Sequence, residues 1–151
     1  MGKINKQPII FPMSNPSSKA ECSASTAFIA TEGRAIFASG SPFDTVTLPN
    51  GKVCHTNQAN NMFIFPGLGL GAILGKCSVV SDSMLMIAAE TLASFITLED
   101  LSIGKVYPNV DDIRKVSFKI AIAVIKQAMT EGVCAKDFTN WTDEDFTQYV
   151  R

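Results

Sequence analysis

The sequence predicts an α/β fold with parallel strands, a small hairpin and a helical C-terminal third, incomplete as a domain. Three observations carry this. Two short apolar runs, 8-PIIFPM-13 and 35-AIFASG-40, each end in a turn-rich loop, and helical sequence lies between them. Strand, loop, helix, strand is the order of a parallel sheet covered by helices. The last third carries apolar residues at helical spacing between capping residues. Two parallel-type strands, however, are too few for a complete doubly wound sheet.

Each element follows from local chemistry. The run 8-PIIFPM-13 reads as a buried strand feeding the loop 14-SNPSS-18. Ser18 and Glu21 have capping-box spacing, which predicts a helix from there towards Gly33. In 45-TVTLPNGKVC-54, alternating residues flank Pro49-Asn50-Gly51, the signature of a hairpin. Ser81 caps a helix presenting Met84, Ile87, Ala88, Leu92 and Phe95 on one face. Thr97 caps a short helix ending at Gly104. A long helix covers 110–132, with core face Ile113, Val116, Ile120, Val124 and Met129 and a stop at Gly132. Thr142 caps a final helix through Tyr149, and 143-DED-145 is its solvated start. Two stretches result, a strand/helix/strand and hairpin part over 8–56 and a mainly helical part over 57–151.

Composition narrows the function. A net charge of -1 gives no electrostatic footprint for nucleic acid or an anionic membrane. The longest apolar run, Met62–Leu74, is too short to span a bilayer and holds Pro66 and three glycines. No signal peptide or other targeting segment is visible in the first residues. Cys22, Cys54, Cys77 and Cys134 are scattered, without zinc-ligand spacing, and read as reduced thiols. His55, beside Cys54, reads as a local hydrogen-bonding residue.

The segment 62-MFIFPGLGLGAILG-75 holds the one phosphate-site pattern. Gly67, Gly69 and Ala72 fit G-x-G-x-x-A, and Glu90 follows at about the expected distance. The context is wrong. Pro66 directly precedes the first glycine, the candidate strand 62-MFIF-65 is very short, and Glu90 falls within a helix. The glycines read instead as close helix packing, with Pro66 starting or kinking the turn.

The order and spacing of 13-MSNPSSKAEC-22, 37-FASGSPF-43, 57-NQANNMFIFPGLGLG-71, 80-VSDSMLMIAAETLAS-94 and 104-GKVYPNVDDIRKV-116 resemble the malic enzymes. The segment 50-NGKVCHTNQANNMFIFPGLGLG-71 is most similar to the plant-type mitochondrial NAD-dependent form. The resemblance implies the C-terminal part, 1–151, of a Rossmann-like NAD-binding domain. It implies an oxidoreductase acting on a CH–OH group, which converts L-malate to pyruvate and CO2 with NAD and a divalent metal, Mg²⁺ or Mn²⁺. It further implies homo- or hetero-oligomeric subunits in the mitochondrial matrix. The family's general base, general acid and metal ligands match nothing in this chain, so no catalytic or metal residue is expected here, and the chain alone is expected to be inactive. The phosphate loop also lies elsewhere, which makes Gly67–Ala72 a decoy.

What the resemblance assigns to this chain are amides. Asn15 matches an Asn beside malate and the nicotinamide ribose. Asn60 and Asn61 match a paired Asn on the far wall. All three are expected to bind substrate, and Asn15 and Asn60 the cofactor as well. A neutral amide offers two donors to a carboxylate without adding charge; turn formation is the ordinary alternative for Asn-Pro and Asn-Asn. Ser14, Ser39, Gly40 and Ser41 read as loop formers, and Glu21 and Asp82 as helix caps. Ser17 stands where Thr is common, and Ala59 where many members carry Gly. The competing reading is a non-catalytic binding or interaction module that uses its exposed sheet edge.

Overall fold

The computed structural model describes residues 1–151, which form two compact units, 1–60 with 96–107 and 61–95 with 108–151. In chain order the elements are β1 (Ile9–Ile10), α1 (Ala24–Ala30), β2 (Ile36–Ser39), β3 (Val46–Thr47), β4 (Val53–Cys54), β5 (Asn57–Gln58), α2 (Phe65–Leu74), α3 (Asp82–Ala93), α4 (Leu98–Ser102), α5 (Ile113–Thr130) and α6 (Asp143–Val150). No helix is long and apolar enough to cross a membrane. The structure thus has the expected α/β character, with a partial Rossmann-like sheet.

In the first unit the sheet order is β1-β2-β5, all parallel. Ile9 pairs with Ile36, and Ser39 with Gln58. The first strand is shorter and less buried than 8-PIIFPM-13 suggests. Only Ile9–Ile10 are extended in the ladder, and Ile9, Phe11 and Met13 are 57%, 41% and 49% exposed. The flanking prolines explain this, since they lack the N–H that would continue a ladder. They contribute carbonyls instead: Ile36 N–H donates to Pro8 O at 2.9 Å and Gly40 N–H to Pro12 O at 3.3 Å. The hairpin forms as read, with β3 antiparallel to β4 and Leu48 N–H donating to Lys52 O at 2.9 Å.

The first helix begins later than the Ser18/Glu21 spacing suggests. Its cap is Ser23, whose Oγ accepts from Thr26 N–H at 3.1 Å, and residues Ser17–Lys19 make only a 3₁₀ turn. Glu21 is no cap. Its carboxylate accepts from the Ser14 hydroxyl at 2.7 Å and the Ser14 N–H at 3.3 Å, so it is spent on the preceding loop. Ala24, Ala27 and Phe28 of α1 are buried in one cluster with Phe37, Leu48 and Cys54. The Phe37 ring lies 5.7 Å from Phe28 and 5.8 Å from Phe43.

Asn57 ties α4 and its exit loop to this sheet. Buried, it donates to Phe37 O at 2.8 Å and Gly104 O at 3.0 Å, and its Oδ1 accepts from the N–H groups of Val106 and Tyr107. Helix α4 carries a full capping box between Thr97 and Asp100.

The second unit is helical. Helix α2 packs along α5, and two glycines set the distance. A methyl on Gly67 would lie 2.6 Å from Ser117 O, and one on Gly71 would lie 2.7 Å from Ala121 O. The buried face of α5 is Val116, Ile120, Ala121, Val124, Ile125 and Ala128. The expected Ile113 and Met129 sit at its half-buried margin. In α3 the Ser81 hydroxyl is the cap, and Asp82 is simply its first-turn acid; Met84, Ala88 and Leu92 are buried. Helix α6 has the Thr142/Asp145 capping box, and Phe146 and Val150 join Ala121, Ile125 and Phe138 in a core cluster.

Glycine spacing corrects one reading. Gly69 has open space where a side chain would go, so it does not serve close packing. We therefore expect Gly69→Ala to leave the fold unchanged or raise its stability by roughly 0.5–1 kcal/mol, because alanine favours helix. Gly67→Ala and Gly71→Ala should each lower it by about 1–3 kcal/mol, because rigid backbone must move. Thermal melts of the three variants read this directly.

Asp100 supplies a pH test. The Thr97 N–H and hydroxyl and the Lys105 ammonium, 3.1 Å away, hold its carboxyl at about 2, below the ordinary 3.8. A depressed folded-state pKa means the cap is intact above the ordinary value and is lost as pH falls towards 2. An NMR titration should show the Asp100 carboxyl moving with that low midpoint. Thr97→Ala should raise the midpoint.

Candidate functional site

The three parallel strands of the first unit deliver their C-terminal ends to one place, the edge at which open α/β sheets bind ligands. The loop after β1 carries Ser14 and Asn15, the loop after β2 carries Gly40 and Ser41, and the chain after β5 carries Ala59 and Asn60. Ala59 N–H donates to Ser39 O at 2.9 Å, extending the β5 pairing to the residue before Asn60.

Gly40 is the meeting point. Asn60 Nδ2 donates to Gly40 O at 3.0 Å. On another side, a methyl on Gly40 would lie 2.8 Å from Asn15 Nδ2 and 2.7 Å from Met13 O. The Ser41 hydroxyl donates to Asn15 Oδ1, which turns the Asn15 amide so that Oδ1 is engaged by the protein. Ser39 Oγ donates to Ser41 O at 2.8 Å and shapes that loop. The Asn15–Pro16 peptide is cis. Asn15 is exposed and Asn60 half-buried, so both amides are anchored yet near solvent.

Glu21 stands behind this loop. Its bonds to Ser14 hold its carboxyl below the ordinary carboxylate range. An acid held ionised in this way braces a loop and is poorly suited to donate a proton near neutral pH. The donor set at the strand ends is therefore neutral: two amides, two hydroxyls and backbone groups. Such a set suits a carboxylate or a carboxamide.

The other sequence-derived residues fall elsewhere. Asn61 opens a 3₁₀ turn, Asn61–Phe63, in the second unit, and its carbonyl accepts from Ile64 N–H at 3.0 Å. Gly67–Ala72 lie inside α2, with Pro66 in its first turn, so no strand-to-helix phosphate loop exists there. His55 lines a cleft of about 450 Å³ with Lys6, Arg34 and Lys52, at the opposite, N-terminal edge of the sheet. Sequence reasoning passed over Asn57, and it read Ser41 as a loop former and Glu21 as a helix cap without their bonds to Asn15 and Ser14. The amide-rich run 57-NQANN-61 was the available signal for Asn57.

Comparison with known proteins agrees with this architecture. The family model described as malic enzyme, NAD binding domain, matches residues 1–129. NAD-dependent malic enzyme 2, mitochondrial, of Arabidopsis thaliana is 44% identical over 151 residues, covering 95% of this chain and 25% of the relative. The NADP-dependent malic enzyme of Homo sapiens is 47% identical over 131 residues, covering 87% of this chain and 23% of the relative. The crystal structure of malic enzyme from Pyrococcus horikoshii superposes with a TM-score of 0.70 at 28% identity, covering 97% of this chain and 30% of that one. The chain thus spans about a quarter of the length of these two relatives. With parallel strands whose ends gather Asn15, Gly40 and Asn60, and a family model matched over 1–129, this chain belongs to the malic enzyme NAD-binding domain family.

Proposed function

We propose that this chain supplies the amide wall of an NAD-dependent malic enzyme site, with Asn15 and Asn60 as its binding residues. The observation that carries the reading is the convergence of both amides on Gly40 at the C-terminal strand edge. Asn60 is held in place through its amide nitrogen, which donates to Gly40 O. Asn15 is oriented through its oxygen by Ser41, which leads its nitrogen to act as donor. Together they hold and orient a carboxylate of L-malate or the carboxamide side of a nicotinamide. They add no charge, so they do not compete for a cation. Asn61, next in sequence, is a further proposed substrate-binding residue.

These residues fit the nicotinamide side of NAD: neutral, part-exposed donors at the ligand-binding edge of a parallel sheet. When bound, NAD supplies the hydride acceptor. A divalent metal is a different matter. No group of three or more His, Cys, Asp or Glu side chains comes together in this chain. In this reading the proton-transfer groups and the metal come from other sequence of a full-length protein. The chain is similar to both NAD- and NADP-dependent relatives, and a wall on the nicotinamide side would serve either coenzyme.

A second reading, an interaction module, draws on β1. This strand lies at the sheet edge and exposes Ile9, Phe11 and Met13. An added strand on that edge would cover them. Light scattering of the purified chain separates the readings: stable, saturable self-association through β1 favours the module.

Two measurements test the enzymatic reading. The purified chain, given malate, NAD and Mn²⁺, should produce no NADH above a heat-killed control. Grafted in place of the matching quarter of the Arabidopsis relative, it should support malate-dependent NADH formation. In that chimera Asn60→Ala should lower kcat/KM about ten- to hundredfold, which corresponds to losing one hydrogen bond to a charged group, about 1.5–3 kcal/mol. Its stability should fall by only about 1 kcal/mol, for the lost bond to Gly40 O. Asn15→Ala should behave alike. Full activity in either folded variant contradicts the assignment.

A further inference from the structure

The second unit brings two cysteines face to face. Cys77 follows α2, Cys134 follows α5, and the two form an isolated antiparallel bridge. Ser78 N–H donates to Val133 O at 3.0 Å, and Ala135 N–H donates to Lys76 O at 3.3 Å. These bonds flank the pair, so Cys77 and Cys134 occupy a non-hydrogen-bonded position. At such positions opposed Cα atoms come to about 4.5 Å and side chains stand closest. That separation lies within the Cα range of about 4.4–6.8 Å that a disulfide requires.

The sulfurs also share a seat. A methyl on Gly75 would lie 2.9 Å from Cys77 Sγ and 3.4 Å from Cys134 Sγ. Gly75 has an ordinary helical φ of -72°, so it is room for sulfur, not backbone conformation, that the glycine provides. The Cys134 thiol donates to Gly75 O at 2.9 Å. Both cysteines are reduced and half-buried. A shallow depression lined by Met129, Cys134, Lys136 and Asp137 opens beside the second sulfur.

We propose that Cys77 and Cys134 form a reversible intrachain disulfide, a redox-sensitive clasp between the C-terminal ends of α2 and α5. The inference is independent of the substrate reading. With a hydroperoxide as oxidant, one thiolate sulfur attacks a peroxide oxygen, the O–O bond breaks, and a sulfenic acid and water result. The second sulfur then attacks the first, the S–O bond breaks, and a second water leaves as the S–S bond forms. Two thiols and one hydrogen peroxide become one disulfide and two waters, with two electrons passing from sulfur to oxygen. A dithiol reductant returns both thiols. Burial, and then the neighbouring Cys134, push the Cys77 thiol up. A thiol of raised pKa leaves slowly, which favours persistence of the bond once made.

The clasp pins the helix pair whose spacing Gly67 and Gly71 set. Closing the long loop between the two cysteines restricts the unfolded chain, so the oxidised form should melt at higher temperature than the reduced one.

The experiment is a peptide map of the full chain after hydrogen peroxide, with free thiols alkylated before non-reducing digestion. The expected result is a linked Cys77–Cys134 peptide pair in monomeric protein, loss of alkylation at those two positions only, and reversal by dithiothreitol. Cys77→Ser or Cys134→Ser should abolish the linked pair and the rise in melting temperature, whereas Cys22→Ser should preserve both. The wild-type map decides the matter even if a serine variant fails to fold. Full alkylation of Cys77 and Cys134 after oxidant, oxidation stopping at sulfinic acid, or only intermolecular disulfides would overturn the proposal.

Discussion

The arrangement of the amides depends on the parallel register of β2 with both its neighbours. Gly40 N–H reaches back to Pro12 O, and Ala59 N–H reaches Ser39 O. These two bonds place the ends of β1 and β5 on either side of the end of β2. Asn15 and Asn60, far apart in sequence, then meet at Gly40. A side chain at position 40 would collide with Met13 O and the Asn15 amide. Slipping β2 by one residue would also exchange Phe37 and Ser39 with Ala38 across the sheet, and all three are buried.

Around that register, polar groups do much of the positioning. Buried Asn57 satisfies four backbone groups at once and fixes the segment after α4 against the sheet. Removing it would leave several of those groups unpaired, the costliest way to lose a hydrogen bond. Glu21 does similar work at the surface, through Ser14, for the loop that carries Asn15. The proposed binding residues are thus held by neighbours that need not touch a ligand.

The second unit follows another rule, close approach of helices. Gly67 and Gly71 let α2 lie against the α5 backbone, while Gly69, between them, faces open space. The same segment that resembles a dinucleotide fingerprint is therefore a packing motif with a period of four. The Cys77–Cys134 pair closes the far end of this contact. If the clasp forms, the redox state of the chain acts on the packing of α2 with α5.

Much was legible in the sequence. Ser81, Thr97 and Thr142 mark three helix starts correctly, because a cap depends on residues three positions apart and on little else. The hairpin at Pro49-Asn50-Gly51 is equally local. The order of several long motifs was enough to name the family before any geometry was known. Tertiary structure decided what depends on distant partners. Glu21 had the spacing of a cap, but Ser14 claimed its carboxylate. The apolar run at 8–13 looked buried, but its prolines cut the ladder to two residues. Which glycine of Gly67, Gly69 and Gly71 packs, which amides share Gly40, and which two of four cysteines face one another were all set by strand register and helix phase. Those contacts join residues 20 to 57 positions apart, and sequence spacing holds no information about distances of that kind until the chain has folded.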